Sequence, residues 1–297
     1  MRWKRNTGFD RVEDRRGQSG GGGGGLGGML GGGGGGGFPM PIPGGKAGGG
    51  IGGLIVVVVI FLLTSGILGG GSGFLGGGGE AQPGGTLDPQ NDTDRVLAAA
   101  TESVQDFWLA TFEAAGEQLP MNDLVLFEGS TSSACGPASS ATGPFYCPAD
   151  QKVYLDLGFF DELQSRFGAE GGDFAIAYVV AHEYGHHIQT VTGVSERVQR
   201  EAQANPDRAN DLSVRQELQA DCYAGLWADS ERDIIEPGDI EEGISAAEAV
   251  GDDRIQERTQ GRIDPESWTH GSSAQRVEWF NRGFESGDLA ACDTFAQ

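Results

Sequence analysis

Two uninterrupted glycine runs, residues 20–25 and 31–37, decide where this chain can build a core. Glycine has no side chain to bury and loses more conformational freedom on ordering than other residues, so such tracts cannot hold an interior together. Of the 297 residues 53 are glycine, and many fall before residue 80, which confines the foldable part to residues 88–297. That length suits one ordinary domain with its own core. The expected organisation is a basic, Gly-rich, disordered tail over residues 1–50 and an apolar segment over 51–69. A Gly-rich linker (70–87) and the folded domain (88–297) follow.

The apolar segment, "IGGLIVVVVIFLLTSGILG", carries no charge. It just reaches the ~20 residues that a helix needs to cross the hydrocarbon layer. A signal-peptide core would not normally begin so far into a chain, and a buried strand would not be framed by glycine tracts. The segment therefore reads as one transmembrane helix in contact with membrane lipid. Residues 1–46 hold seven basic and three acidic groups, and the flank that follows the segment reaches Glu80 without a Lys or Arg. The positive-inside rule then leaves the N-terminus in the cytoplasm and the domain outside, in a single-pass protein of the cytoplasmic membrane. Net charge is −23 overall and −27 once the +4 of residues 1–46 is set aside. So acidic a body repels phosphate backbones, which argues against nucleic acid as a partner.

All four cysteines (Cys135, Cys147, Cys222, Cys292) follow the apolar segment. An even number outside the cytoplasm suggests disulfides in one of three pairings. The loop "CGPASSATGPFYC" favours Cys135–Cys147, leaving Cys222–Cys292. Periodicity predicts a helix over residues 93–118, short strands at 124–129 and 152–157, and helices at 159–167, 173–192, 195–204, 211–230, 241–256 and 273–286. Few strands followed by many helices make an α+β domain, mostly helical with a small sheet. The strand at 152–157 is either an edge that pairs with an extended substrate or an ordinary sheet strand.

Three of the four histidines sit in "AHEYGHHIQT", residues 181–190. His182 and His186, four apart, share one side of a helix, and Glu183 between them can hold a water beside a metal bound there. His187 points elsewhere and is expected to hydrogen-bond to backbone or a carboxylate. A catalytic zinc normally takes three protein ligands. The helix "RQELQADCYAGLWA" offers Glu217 as the third, with Asp221 one turn on to accept the free ring N–H of a ligating histidine. His270, before the last helix, is either a donor to a reaction oxyanion or a capping and core residue.

With these motifs, the basic start "MRWKR", "VEDRRGQ" and the late "THGSSAQRVEWF", the chain resembles the bacterial neutral zinc metallopeptidases over nearly its whole length. "RQELQADCYAGLWA" and "THGSSAQRVEWF" are also similar to the Glu-x-x-x-Asp and Thr-His-Pro…Arg elements of membrane metallopeptidases of the heat-shock and prenyl-protein-processing type. Gly271 stands where those distant relatives have proline. The resemblance implies a zincin-like, gluzincin arrangement. Zn2+ would be held by His182, His186 and Glu217, with Glu183 as general base and Asp221 behind the site. His270 and Arg276 would lie near a peptide or protein substrate. The implied activity is zinc-dependent peptide hydrolysis. A tethered zinc scaffold or regulator with idle machinery is the alternative, and the presence of Glu183 argues against it.

Overall fold

The computed structural model describes residues 1–3, 7–17 and 86–296. The expected membrane segment at 51–69, most of the tail and nearly all of the linker lie outside the described residues. Among the described residues no helix is long and apolar enough to cross a membrane.

The domain opens with helix α1 (Asp92–Ala114). Asn91 caps it by accepting the Asp94 N–H, and Asp92 and Asp94 complement the positive end of its dipole. Its buried stripe runs through Val96, Ala100, Val104 and Trp108. A four-stranded sheet follows, in the order β1-β2-β6-β5, from β1 (Val12–Asp14), β2 (Leu124–Phe127), β5 (Phe145–Cys147) and β6 (Lys152–Asp156). Strands β2 and β6 are parallel, with Leu124 opposite Val153 and Phe127 opposite Asp156. Every residue of β2 is buried, as a strand covered on both faces requires. β5 runs antiparallel along one edge, and a separate hairpin, β3 (Ser130–Ser133) with β4 (Gly136–Ser139), lies between β2 and β5 in sequence.

Helices α2 (Gly158–Phe167), α3 (Asp173–Val191), α4 (Val194–Ala204), α5 (Ala209–Ser230), α6 (Asp239–Ala249), α7 (Asp252–Gln260) and α8 (Ser273–Ser286) complete the domain. It is α+β and mostly helical with a small sheet, as the pattern of strands and helices implies. α3 is central: it packs on α1, α5, α6 and β5. Both disulfides form in the expected pairing, Cys135–Cys147 and Cys222–Cys292.

Three expectations change. Residues 9–14 do not belong to a disordered tail. They form a 3-10 turn (Phe9–Arg11) and β1, which pairs in parallel with β2. Short, charged and distant in sequence from its partner, β1 carries no periodicity by which it could be found. The strand at 152–157 is not an edge, because β6 lies between β2 and β5, and β5 takes the edge instead. The helix expected over 241–256 is two, α6 and α7, because Gly251 is extended (φ −64°, ψ 140°) and starts a new helix.

Candidate metal centre and active site

The centre arises where α3 crosses α5. Gly185, inside His182-Glu183-Tyr184-Gly185-His186, allows the crossing: a Cβ there would stand 3.0 Å from the Ala220 Cα, so any larger residue would push the helices apart. At this separation Glu217 of α5 faces both histidines of α3. The Glu217 Oε2 lies 3.2 Å from His182 Nε2, and its Oε1 lies 3.5 Å from His186 Nε2. One ligand atom from each of the three residues falls within 4.8 Å of the others. Two imidazole nitrogens and a carboxylate oxygen suit zinc chemically, and three protein donors leave a position for water.

The far side of each imidazole is tied down. His182 Nδ1 meets Asp221 Oδ1 at 2.8 Å. Asp221, fully buried, also accepts from the Tyr178 hydroxyl at 2.6 Å and from Arg276 through Nε (2.8 Å) and Nη2 (2.9 Å). On the other histidine, His186 Nδ1 meets Gln189 Oε1 at 2.9 Å, and the Gln189 amide donates to the Gln216 carbonyl and to Gln219 Oε1. Both rings thus present Nε2 to Glu217, while Nδ1 faces a side-chain oxygen able to accept its N–H, as the tautomer of a metal ligand would require.

Charge follows this geometry. Burial alone would depress His182, but the Asp221 and Glu217 carboxylates outweigh it and hold the imidazole up to about 9. Burial is likewise outweighed at His186, chiefly by Glu217, and its pKa is raised. Burial would raise Glu217, yet His186 and His182 bring it well below its usual range. Asp221 falls to about 2 because Arg276 and His182 overcome its burial. Without an ion, protons on the two imidazoles thus balance Glu217; a bound cation would take the place of those protons. Glu183, with its pKa raised by burial, lines the same cavity.

That cavity, about 730 Å³, also takes in Phe145 and Tyr146 of β5, Phe159 of α2, Val198 of α4 and His270. His270 is held by Asp252 at the start of α7. The Asp252 Oδ2 accepts the backbone N–H groups of Thr269, His270 and Gly271, while Oδ1 lies 3.4 Å from His270 Nδ1. Asp252 raises the His270 pKa despite the opposing effect of burial.

The sequence-predicted residues therefore divide into groups. His182, Glu183, His186, Glu217 and His270 line one cavity, with Asp221 behind it. Arg276 is only 3% exposed, with its guanidinium committed to Asp221 and Tyr178. It braces Asp221 behind His182 and also lines the same cavity. His187 bonds the Pro120 carbonyl through Nε2 and the Tyr146 hydroxyl through Nδ1, as its place on the helix suggested. Sequence reasoning missed Tyr178, Gln189 and Asp252. Gln189 had a usable signal, a polar residue three places beyond His186 on a buried helix. Asp252 had none, because a continuous helix was expected across Gly251.

The comparisons with known proteins agree with this geometry. The family model "Putative neutral zinc metallopeptidase" matches residues 1–295, and the chain belongs to that family. It is 50% identical over 206 residues to the Escherichia coli "Uncharacterized protein YpfJ", covering 68% of this chain and 70% of that one. It is 51% identical over 183 residues to the Mycobacterium tuberculosis "Uncharacterized protein Rv2575", covering 58% of this chain and 61% of the relative. No solved structure matches the chain.

Proposed function

We propose that this protein is a zinc-dependent peptidase that hydrolyses peptide bonds in peptide or protein substrates. The observation that carries the reading is the convergence of His182, His186 and Glu217 within 4.8 Å, with Glu183 lining the same cavity. Bound there, zinc would polarise both a water and the substrate carbonyl. Glu183 accepts the proton of the attacking water and delivers it to the leaving amine. His270, turned by Asp252 and favoured in its protonated form, donates to the oxygen on which negative charge develops. The backbone of β5, the sheet edge whose Phe145 and Tyr146 line the cavity, aligns an extended substrate by strand addition.

Contact with membrane lipid through residues 51–69 and a place outside the cytoplasm belong to the same reading. The uncharged apolar run supports the first, and two disulfides with no free cysteine among the described residues support the second. Nucleic acid is not a proposed partner, given the acidic body. The deciding test compares Glu183→Gln with the natural protein for bound zinc and for hydrolysis of an unfolded protein. The variant should keep zinc and lose hydrolysis; equal hydrolysis by both proteins would end the reading.

A further inference from the structure

The N-terminal segment is built into the domain in detail. Val12, Glu13 and Asp14 of β1 pair with Leu124, Val125 and Leu126 of β2, and the Arg15 N–H continues the ladder to the Leu126 carbonyl at 2.7 Å. Arg16 lies between two buried carboxylates, donating to Asp14 and, through Nη1 (2.9 Å) and Nη2 (2.8 Å), to Asp94 of α1. Lys152 of β6 reaches Glu13 at 2.7 Å. Arg11 donates to Gln105 of α1, whose amide donates to the Tyr184 hydroxyl on the helix of the metal centre. Gly8 is left-handed (φ 76°) and lies so close to the Ala98 carbonyl that a Cβ would overlap it. Trp3, Phe9 and Val12 pack on the main core.

These contacts bear on how the chain can lie in a membrane. A chain that crosses a bilayer once between residues 17 and 86 has β1 on one face and β2 on the other, where they cannot pair. Detaching β1 would expose the edge of the fully buried β2 and leave Asp94, 1% exposed, without Arg16. The N-terminal charge that suggests a cytoplasmic end has another explanation here, because Arg11, Arg15 and Arg16 meet Asp106, Glu13, and Asp14 with Asp94. These arginines therefore have a structural role in the domain whichever side of the membrane it occupies.

We propose that residues 7–17, with the strand Val12–Asp14, are a structural part of the domain, so that both ends of the intervening 18–85 segment leave from the same side of the membrane. A single crossing between residues 17 and 86 is then ruled out, whatever part of the segment meets lipid. This replaces the arrangement with the N-terminus inside and the domain outside, and it holds or fails independently of the peptidase reading.

Two measurements on the full-length protein in native membranes test it. Small epitope tags at each terminus should be digested by protease from the same face. A carbodiimide should join Lys152 to Glu13, while the Lys152–Asp123 pair inside the domain, 3.3 Å apart, reports that the reagent has reacted. Tags on opposite faces would overturn the proposal. So would a domain cross-linked only to Asp123.

Discussion

The sheet has two edges of opposite character. β5 ends one side, its last residue, Cys147, tied to Cys135, and its Phe145 and Tyr146 turned to the cavity that holds the metal ligands. β1 ends the other, its backbone paired to β2 and its Glu13 and Asp14 matched by Arg15, Arg16 and Lys152. An unpaired strand edge is a ready template for any extended chain, so a protein that needs one edge for binding must guard the other. Both terminal strands present such an edge: β5 borders the candidate metal centre, and β1 is fastened to the sheet by ion pairs. Disulfide and ion pairs accordingly do different jobs: the first ties down β5 beside the cavity, and the second holds β1 against β2.

The largest effects should appear on the cavity side. Glu217→Ala should abolish both zinc retention and hydrolysis, since His182 and His186 alone hold a cation weakly. Glu183→Gln should lower turnover by about 10²–10⁴-fold, the usual scale for a general base, with zinc content unchanged. Asp221→Asn should weaken zinc binding by about 10–100-fold, because it orients His182 without touching the metal. Metal analysis and initial rates on the three purified variants would check the ranking. If Glu217→Ala kept full zinc and full turnover, the third ligand would lie elsewhere.

At the opposite edge, Arg16→Ala should cost roughly 3–5 kcal/mol, the scale for stranding a buried charge, because Asp14 and Asp94 lose their shared cation. The loss should show in a denaturant melt. Adding Asp94→Asn should recover part of it. If the single variant melted with the natural protein, β1 would not be holding that edge. Removing the Cys135–Cys147 bond by a double Ser variant should cost about 2–4 kcal/mol and raise KM more than it lowers kcat, because the β5 edge loosens while the metal ligands stay fixed. An unchanged KM would separate β5 from substrate binding.

How much of this was legible in the sequence depended on distance along the chain. The histidine spacing on one helix, the Glu217–Asp221 face on the next and the disulfide loop are local patterns, and each appears in the structure as its periodicity implied. What stayed hidden needed contacts between distant residues. Asp252 reaches His270 only because Gly251 breaks a helix, and β1 finds β2 across more than a hundred residues of chain. Three alternating residues in a charged, glycine-flanked start look like tail, and only a partner such as Asp94 makes Arg16 a structural residue. Composition thus pointed to the domain boundary at 88, while pairing brought Val12–Asp14 into the domain.

The smallest expected effect separates the two edges by acid. In the folded protein Glu13 is lowered from 4.5 to about 2, first by its hydrogen bond to Arg15 and, against the opposing pull of burial, by Lys152. A depressed carboxylate binds fewer protons folded than unfolded, so it stabilises the fold above the unfolded value and loses that contribution as pH falls. The stability difference between the natural protein and Glu13→Gln should therefore be constant above about 4.5 and shrink towards zero as pH nears about 2. Because Glu13 is 37% exposed, water and salt screen the pair, and the difference should be only about 0.2–1 kcal/mol, smaller still in high salt. β5 carries no titrating pair of this kind, since its residues are Phe145, Tyr146 and Cys147. Chemical-denaturation curves of the two proteins from pH 2 to pH 7 would show the convergence. Parallel curves across that range would mean that Glu13 does not help to close its edge of the sheet.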